Sequence, residues 1–331
     1  MELARKGGKT VNSKSACSNE RKVHHSRVSR KRRRITITVL LCLGFALGLL
    51  IFSHDNEPQY EGKRLSRWLS LYGEQIFSVH GDFEKREQAE HAIRSIGTNS
   101  LPFLLKWIRY DATASLPRRW LYSLIRRLPP NLRYRSFWAD SGAERASLAI
   151  LGFEILGPTA KPAIPELAHL ASTSKDEVIR DRVIRALGDM GPTGVEGLLT
   201  VITNKNGLSR FNAVTALCAV GTNATTATPA LIECLHDLDP NVAGAAAGVI
   251  GELELQPDLT IPAITNAIRD SPAVVRQFQV MALKHFGGKA RSAVPALVDA
   301  LADDDERVRG AAALTLNEIA PEVLTNALAS P

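Results

Sequence analysis

The residues with the greatest chemical capability in this chain are its cysteines and histidines, and their spacing predicts no reaction. The four cysteines include no C-x-x-C pair, and the eight histidines include no H-x-H or H-E-x-x-H motif. Zinc sites and redox pairs use such short spacings, because their groups must converge on one point. Neither a P-loop nor a G-x-S-x-G sequence is present. We therefore expect no catalytic residues, no metal and no cofactor.

Two of the cysteines leave a structural question open. Cys218 and Cys234 lie in the C-terminal half of the chain, whereas Cys17 and Cys42 lie near its N-terminus. Cys218 and Cys234 would form a disulfide if they face an oxidising compartment and their Cα atoms come close enough. Otherwise they are free buried thiols, since cysteine is among the most frequently buried residue types.

A basic and aromatic segment is the best candidate for a binding surface. From Lys106 to Arg135 there are eight Lys or Arg residues and one acid, and three of the four tryptophans lie nearby. Arginine and tryptophan are enriched at the energetic centres of protein interfaces, and tryptophan also at membrane surfaces. The alternative is an extra helix over 116–128, with one tryptophan in the core and solvated arginines. The candidate partner or lipid surface is Arg109, Arg118, Arg119, Trp120, Arg126 and Arg127.

Positive charge is concentrated in a tail, residues 1–34. The tail holds twelve Lys and Arg and two acids, a net charge of +10, while the whole chain carries +7, so the rest carries 7 − 10 = −3. The tail has too few apolar residues to fold, and we expect a disordered cytoplasmic segment. Its residues 21–34 are expected to contact anionic lipid heads. Nucleic-acid binding is the alternative, although no aromatic residue in the tail can stack on bases.

An apolar segment, residues 35–52, follows the tail and carries eighteen uncharged residues. As a helix it would be about 27 Å long, close to the ~30 Å hydrocarbon core of a bilayer. We predict a single-pass transmembrane helix with its N-terminus in the cytoplasm, because basic residues that flank a span stay on that side. The remaining chain would lie outside the cytoplasm, in the periplasm if the source is bacterial. The alternative is a cleaved signal peptide, whose apolar region is shorter.

A repeat of about 33 residues organises the rest of the chain. Residues one and four places before each reference position are apolar, and those eight places before are small or apolar except Gln279. This is helical spacing. The glycine at most reference positions ends a helix in the left-handed conformation, and a proline eight residues later begins another. Each repeat is therefore a first and a second helix that run antiparallel. The reference positions are Gly97, Gly157, Gly191, Gly221, Glu254, Gly287 and Ala320.

Two polar columns, Asp fifteen and Arg eleven places before the reference, precede the first helices. Their members are Asp82, Arg86, Asp176, Arg180, Arg210, Asp239, Arg276, Asp305 and Arg309. With the prolines and the D-x-x-V-R sequence, they resemble HEAT repeats of the short kind found in phycobilin lyase subunits. The resemblance implies that these residues form a ladder between successive repeats. A simpler interpretation is that they are charges near helix N-termini, where Asp suits the helix dipole and Arg does not.

The resemblance covers roughly residues 83–331 and implies an all-α fold. That fold is a right-handed α-solenoid (superhelix) of about seven HEAT-like helical hairpins, preceded by the transmembrane helix. The first gap between reference positions is 60 residues, which predicts an insertion near 111–143.

Residues 53–82 are predicted to form a linker and an N-terminal capping helix. Leu65, Trp68, Leu69 and Tyr72 lie at i, i+3, i+4 and i+7, on one helix face. The pattern Y-x-G-K-x-L-S-x-W-L resembles the segment that opens many membrane-anchored bacterial HEAT-repeat proteins. A solenoid end needs a cover for its apolar face. The alternative is that Trp68 and Tyr72 form a ligand platform.

Together these features indicate a membrane-anchored scaffold that binds a protein partner through an extended HEAT-repeat surface, without catalysis. A second function is implied by the resemblance to lyase subunits: a lyase-like or chaperone-like subunit that binds a tetrapyrrole or a modified protein substrate. Nucleic-acid binding through the basic tail is a third. The identity of the partner does not follow from the sequence.

Overall fold

The structure is a computed structural model that describes residues 56–76, 78, 81–111, 141–205 and 207–329. The basic tail, the apolar segment 35–52 and most of the predicted insertion lie outside these residues. Glu57–Pro331 forms one compact unit. Within the described part of the chain, no helix has the length and apolar character needed to cross a membrane.

The described residues are almost entirely helical, and first and second helices alternate along the chain. The first helices are α2 (Phe83–Ile96), α4 (Ser141–Leu156), α6 (Glu177–Asp189), α8 (Arg210–Val220), α10 (Pro240–Glu252), α12 (Ala273–His285) and α14 (Glu306–Ile319). The second helices are α3 (Leu101–Ile108), α5 (Ile164–Thr173), α7 (Val195–Thr203), α9 (Thr228–Cys234), α11 (Pro257–Asp270), α13 (Val294–Ala300) and α15 (Pro321–Ala329). The prediction of an all-α fold made of helix pairs is confirmed.

Each first helix ends at the reference position, as predicted. Gly97, Gly157, Gly191, Gly221 and Gly287 all have positive φ, a conformation that glycine adopts without a Cβ clash. A 3₁₀ turn follows each of these glycines and leads into the second helix. Glu254 takes the same conformation with a φ of 46°, although it carries a side chain.

The helix that follows Glu254 begins earlier than the sequence predicts. The proline pattern predicts a start at Pro262, but α11 begins at Pro257 and holds Pro262 inside the helix. Gln256 is left-handed, with a φ of 41°, and Pro257 at the first turn has the fixed φ that starts a helix. The 3₁₀ turn is therefore missing here, and Pro262 removes one backbone hydrogen bond within α11.

A short ribbon and one helix precede the repeats. Strands β1 (Gln59–Tyr60) and β2 (Lys63–Arg64) pair through a turn at Glu61 and Gly62, both with positive φ, and α1 (Leu65–Ile76) follows. Glu57 is 5% exposed and accepts a hydrogen bond from Ser66 N at 3.0 Å, which caps α1. Trp68 donates from Nε1 to the Tyr60 carbonyl at 3.0 Å.

The core is one continuous apolar layer between the helices. Every residue four and eight places before the reference position is 0% exposed, which includes the aromatic Phe153 and the polar Gln279. In α1, Leu65, Trp68 and Leu69 are at most 1% exposed and belong to the same core. Helices contact their neighbours in sequence order, first helix on first helix and on its own second helix. This is the nearest-neighbour packing of a solenoid.

Candidate interaction surface

The basic and aromatic candidate surface lies mostly outside the described residues. Arg118, Arg119, Trp120, Arg126 and Arg127 are among those not described. Arg109, which follows α3, forms an ion pair with Glu166 on α5, and both side chains are nearly half exposed. An exposed pair of this kind contributes little to stability. Its guanidinium is held by the adjacent repeat, so the structure gives Arg109 a contact between repeats.

The aspartates of the expected ladder cap the helices that they precede. The carboxylate of Asp176 accepts a hydrogen bond from Val178 N at 2.9 Å, and that of Asp305 accepts one from Arg307 N at 2.9 Å. Asp82 and Asp239 accept backbone hydrogen bonds in the same way at the starts of α2 and α10. These carboxylates satisfy amide groups that a helix N-terminus leaves without partners. These contacts fit the simpler interpretation, charges at helix N-termini, and among the described residues each of the four carboxylates bonds within its own repeat.

Two arginines of the other column do join successive repeats, through different aspartates. Arg210 forms a two-pronged ion pair with Asp237, and the two side chains are 11% and 10% exposed. Arg276 binds Asp303 in the same way, through Nε at 2.8 Å and Nη2 at 2.7 Å. Asp237 and Asp303 lie two residues before the aspartates that the ladder was expected to use. The geometry of each loop brings Asp237 and Asp303 to the arginines, whereas the expected aspartates accept from the amides of their own helices.

The remaining arginines of the column make local contacts. Arg180 donates to the Ser174 and Lys175 carbonyls at 3.0 and 3.2 Å, at the end of α5. Arg309 donates to the carbonyls of residues 303 and 304 in the equivalent loop. Arg86 lies over the Tyr72 ring at 5.5 Å. A cation at a helix C-terminus is stabilised by the carbonyls there.

Gln279 replaces a ladder pair that the sequence lacks. Ala243 stands where an arginine would be, so the loops before α10 and α12 have no charged pair between them. Gln279 donates from Nε2 to the Leu235 carbonyl at 3.1 Å and to Ser271 Oγ at 3.0 Å. Its amide thereby ties the same two loops from inside the core. In the sequence, Gln279 departs from a column of small residues. The structure gives the physical reason, because its uncharged amide joins the two loops by hydrogen bonds.

The two cysteine thiols are largely buried, and two aspartates are paired with arginines. Burial and the nearby Glu252 carboxylate raise the pKa of the Cys218 thiol to about 11, and burial raises the pKa of Cys234. Both thiols are free, so the structure contains no disulfide between them. Hydrogen bonds from Arg210 hold the pKa of Asp237 below its usual range, and Arg276 does the same for Asp303. No group of His, Cys, Asp or Glu among the described residues could hold a metal ion.

One cavity lies beside the ladder. It has a volume of about 300 Å³ and is lined by Lys205, Arg210, Cys234, His236 and Asp237, among others. The guanidinium and carboxylate in its wall already bind each other.

The first helices present a second surface, here called the outer stripe. It consists of the residues 13, 10 or 9, 6 and 2 places before the reference positions of α6, α8, α10, α12 and α14, where one residue at each level is at least partly exposed. On α6 this stripe carries charges at Arg182, Arg185 and Asp189. On α8, α10 and α12 the same positions are uncharged as far as the final turn of the helix. The exposed apolar members are Val178, Leu208, Phe211, Val274, Phe278, Met281 and Leu314.

Sequence reasoning did not single out this apolar part of the stripe. Phe211, Phe278 and Met281 are 44%, 45% and 44% exposed, and Leu314 is 63% exposed. In a helix that is apolar on several sides, the sequence does not tell which apolar residues the neighbouring helices cover. The lack of charge along three successive first helices is the signal that could have indicated it.

Known proteins support the repeat assignment at the C-terminal end. Residues 261–330 match the family of HEAT repeats. Human deoxyhypusine hydroxylase in complex with glycerol is similar at 15% identity and a TM-score of 0.32, over 77% of this chain and 96% of that chain. A second similar chain comes from a solved structure that shows Kap95p binding inducing the switch loops of RanGDP to adopt the GTP-bound conformation. Its identity is 16% and its TM-score 0.38, over 79% of this chain and 42% of that chain. Both scores are too low to carry an argument. No curated protein matches the chain.

Proposed function

We propose that this HEAT-repeat chain is a non-catalytic scaffold that binds a protein partner and is anchored in a membrane by residues 35–52. The repeats then lie outside the cytoplasm, because the basic residues of the tail favour a cytoplasmic N-terminus. We infer that the helix pairs continue as a right-handed superhelix of about seven units. The eighteen uncharged residues after the basic tail support the anchor.

The single observation that carries the binding role is the exposed apolar part of the outer stripe. Phe211 lies on α8, Phe278 and Met281 lie on α12 and Leu314 lies on α14, and each side chain is at least 44% exposed among the described residues. Contiguous exposed apolar surface on a folded protein marks an interaction site more often than chance. HEAT repeats use extended surfaces of this kind, to which many repeats each contribute a few contacts.

The test is site-specific photo-crosslinking of the full-length protein in its native membrane. A benzophenone amino acid replaces Leu314 or Phe211 on the outer stripe, or Leu259 as the control. Leu259 is 57% exposed but lies on α11, a second helix. We expect a covalent adduct with another protein from positions 314 and 211 and none from 259. Equal adduct yields from all three positions, or no protein adduct from the outer stripe, would refute the proposed function.

A further inference from the structure

Two glycines of the outer stripe have no explanation within the described part of the chain. Gly248 lies in the middle of α10 and Gly310 in the first turns of α14, and a Cβ added to either would meet no atom within 4 Å. A glycine inside a helix costs about 0.5–1 kcal/mol relative to alanine. By contrast Gly244, one turn before Gly248, is covered by the Phe278 ring at 2.9 Å from its added Cβ. Packing inside the chain accounts for Gly244 and not for the other two.

The glycines leave low points on either side of an apolar ridge. Phe278 and Met281 form the ridge on α12, between Gly248 on α10 and Gly310 on α14. Leu314 follows Gly310 by one turn and is the most exposed apolar side chain of the three first helices. Methionine adapts its shape to a partner because its side chain is unbranched and polarizable. A partner can therefore approach the helix backbone closely at the two glycines, beside apolar side chains that can adapt to its shape.

At one edge of this surface two carboxylates are available to a basic group of a partner. Glu252 and Glu318 lie in the last turns of α10 and α14, and neither forms an ion pair. Glu252 accepts only a weak hydrogen bond, from Cys218 Sγ at 3.5 Å. Lys284 and His285, at the end of α12, stand between them and make the local charge mixed. The interior of the surface carries no charge, so its occupant must be apolar there and can be basic only at that edge.

The need to satisfy backbone hydrogen bonds determines whether a helix or an extended strand can bind to this surface. A strand laid across the outer faces of helices would find no unpaired backbone groups to bond, and its own N–H and C=O groups would stay unsatisfied against apolar side chains. A helix satisfies its backbone internally. With neighbouring helix axes about 8–10 Å apart, three first helices span about 20 Å. A helix of about thirteen residues covers that distance.

We propose that the surface of Gly248, Phe278, Met281, Gly310 and Leu314 binds an amphipathic helix of the partner protein. The apolar face of that helix lies on the ridge and in the two low points, and a Lys or Arg at its edge faces Glu252 or Glu318. This inference rests on the proposed function, because it names the part of the partner that the outer stripe binds. The helix-in-groove mode uses anchors at i, i+3 or i+4, and i+7.

The experiment again uses the full-length protein in its native membrane, with the benzophenone at position 314. Gly248→Glu fills one low point with a charged side chain, and Gly288→Glu is the matched control. Gly288 lies in the 3₁₀ turn after α12 and also has open space around an added Cβ. In neither position does an added Cβ come within 4 Å of a described protein atom, so we expect both variants to melt within a few degrees of the parent. We expect Gly248→Glu to reduce the adduct at least tenfold and Gly288→Glu to leave it unchanged.

Mass spectrometry of the adduct identifies the occupant. The inference requires a crosslinked partner peptide with apolar residues at i, i+3 or i+4, and i+7 and a Lys or Arg beside them. A partner peptide without this pattern, a second copy of this chain, a lipid adduct, or an undiminished adduct in Gly248→Glu overturns the inference. A partner peptide without the pattern, or an undiminished adduct in Gly248→Glu, would still be compatible with the proposed function. The absence of any protein adduct from positions 314 and 211 overturns both.

Discussion

Asp237 shares its carboxylate between two neighbours, and this makes it a sensitive residue of the ladder. It binds the Arg210 guanidinium and also accepts from Asp239 N at 3.0 Å. Asp237→Asn would leave a guanidinium only 11% exposed without a counter-charge. Breaking one side of a buried pair costs about 3–5 kcal/mol. We expect a loss of that size in the free energy of unfolding, measured by urea denaturation at pH 7.

The control for this change is Asp270→Asn. Asp270 is exposed at the end of α11, at the position that corresponds to Asp237, and the residue that corresponds to Arg210 in its repeat is Ala243. Exposed substitutions away from specific contacts change stability by about 0.5 kcal/mol or less. A similar loss in both variants would contradict the assigned role of the ladder pair.

Acid should weaken the same contacts in a predictable window. The pKa values of Asp237 and Asp303 are lowered in the folded chain by their arginines. A lowered pKa adds stability that is fully present above the unfolded value of about 3.9 and is lost as the pH falls through the folded value. We expect stability to drop below about pH 4 and to drop less in Asp237→Asn. Parallel pH profiles for the variant and the parent would contradict this.

Thiol labelling tests whether Cys218 and Cys234 are free, largely buried thiols. With a pKa of about 11, Cys218 is a thiolate in about one molecule in ten thousand at pH 7. We expect iodoacetamide to alkylate Cys218 and Cys234 slowly in the folded protein and quickly in urea without a reductant, read by mass spectrometry of each peptide. Resistance in urea that a reductant removes would show a disulfide instead.

At the scale of elements, we expect α1 to act as the cover for the first repeat. Trp68 is 1% exposed, and Lys63 lies over its ring at 4.2 Å. Trp68→Ala should cost about 3–5 kcal/mol, because it removes a large buried ring and leaves a cavity. Lys63→Ala, which removes only the exposed cation, should cost about 1 kcal/mol or less. Calorimetric melting of both variants measures the difference, and equal shifts would speak against a covering role.

The elements were the part of the structure most open to prediction. The helical spacing and the reference glycines predict where each first helix ends, since a left-handed glycine leaves a clear local signal. The start of α11 was missed because Pro257 and Pro262 both satisfy the rule for a first-turn proline. The ladder was missed in detail because Asp237 and Asp239 are two residues apart, and only the loop geometry decides which one faces Arg210.

At the scale of the whole molecule, the anchor can be tested directly. If residues 35–52 span a bilayer, the full-length protein should stay in the membrane pellet after extraction at alkaline pH. A variant that lacks residues 35–52 should move to the supernatant, because the remaining chain carries −3 net charge beyond its basic tail and exposes no comparable apolar run. Release of the parent protein by the same extraction would contradict the anchor.

The neutral tie at Gln279 has a consequence for how the C-terminal repeats come apart. Protonation can release the Arg210–Asp237 and Arg276–Asp303 pairs, but it leaves the amide contacts of Gln279 to Leu235 and Ser271 unchanged. Neighbouring units in a solenoid are coupled mainly through their shared interfaces. Strong acid should therefore divide the melting of this region into separate steps, with α10 to α13 as the last block to lose its structure.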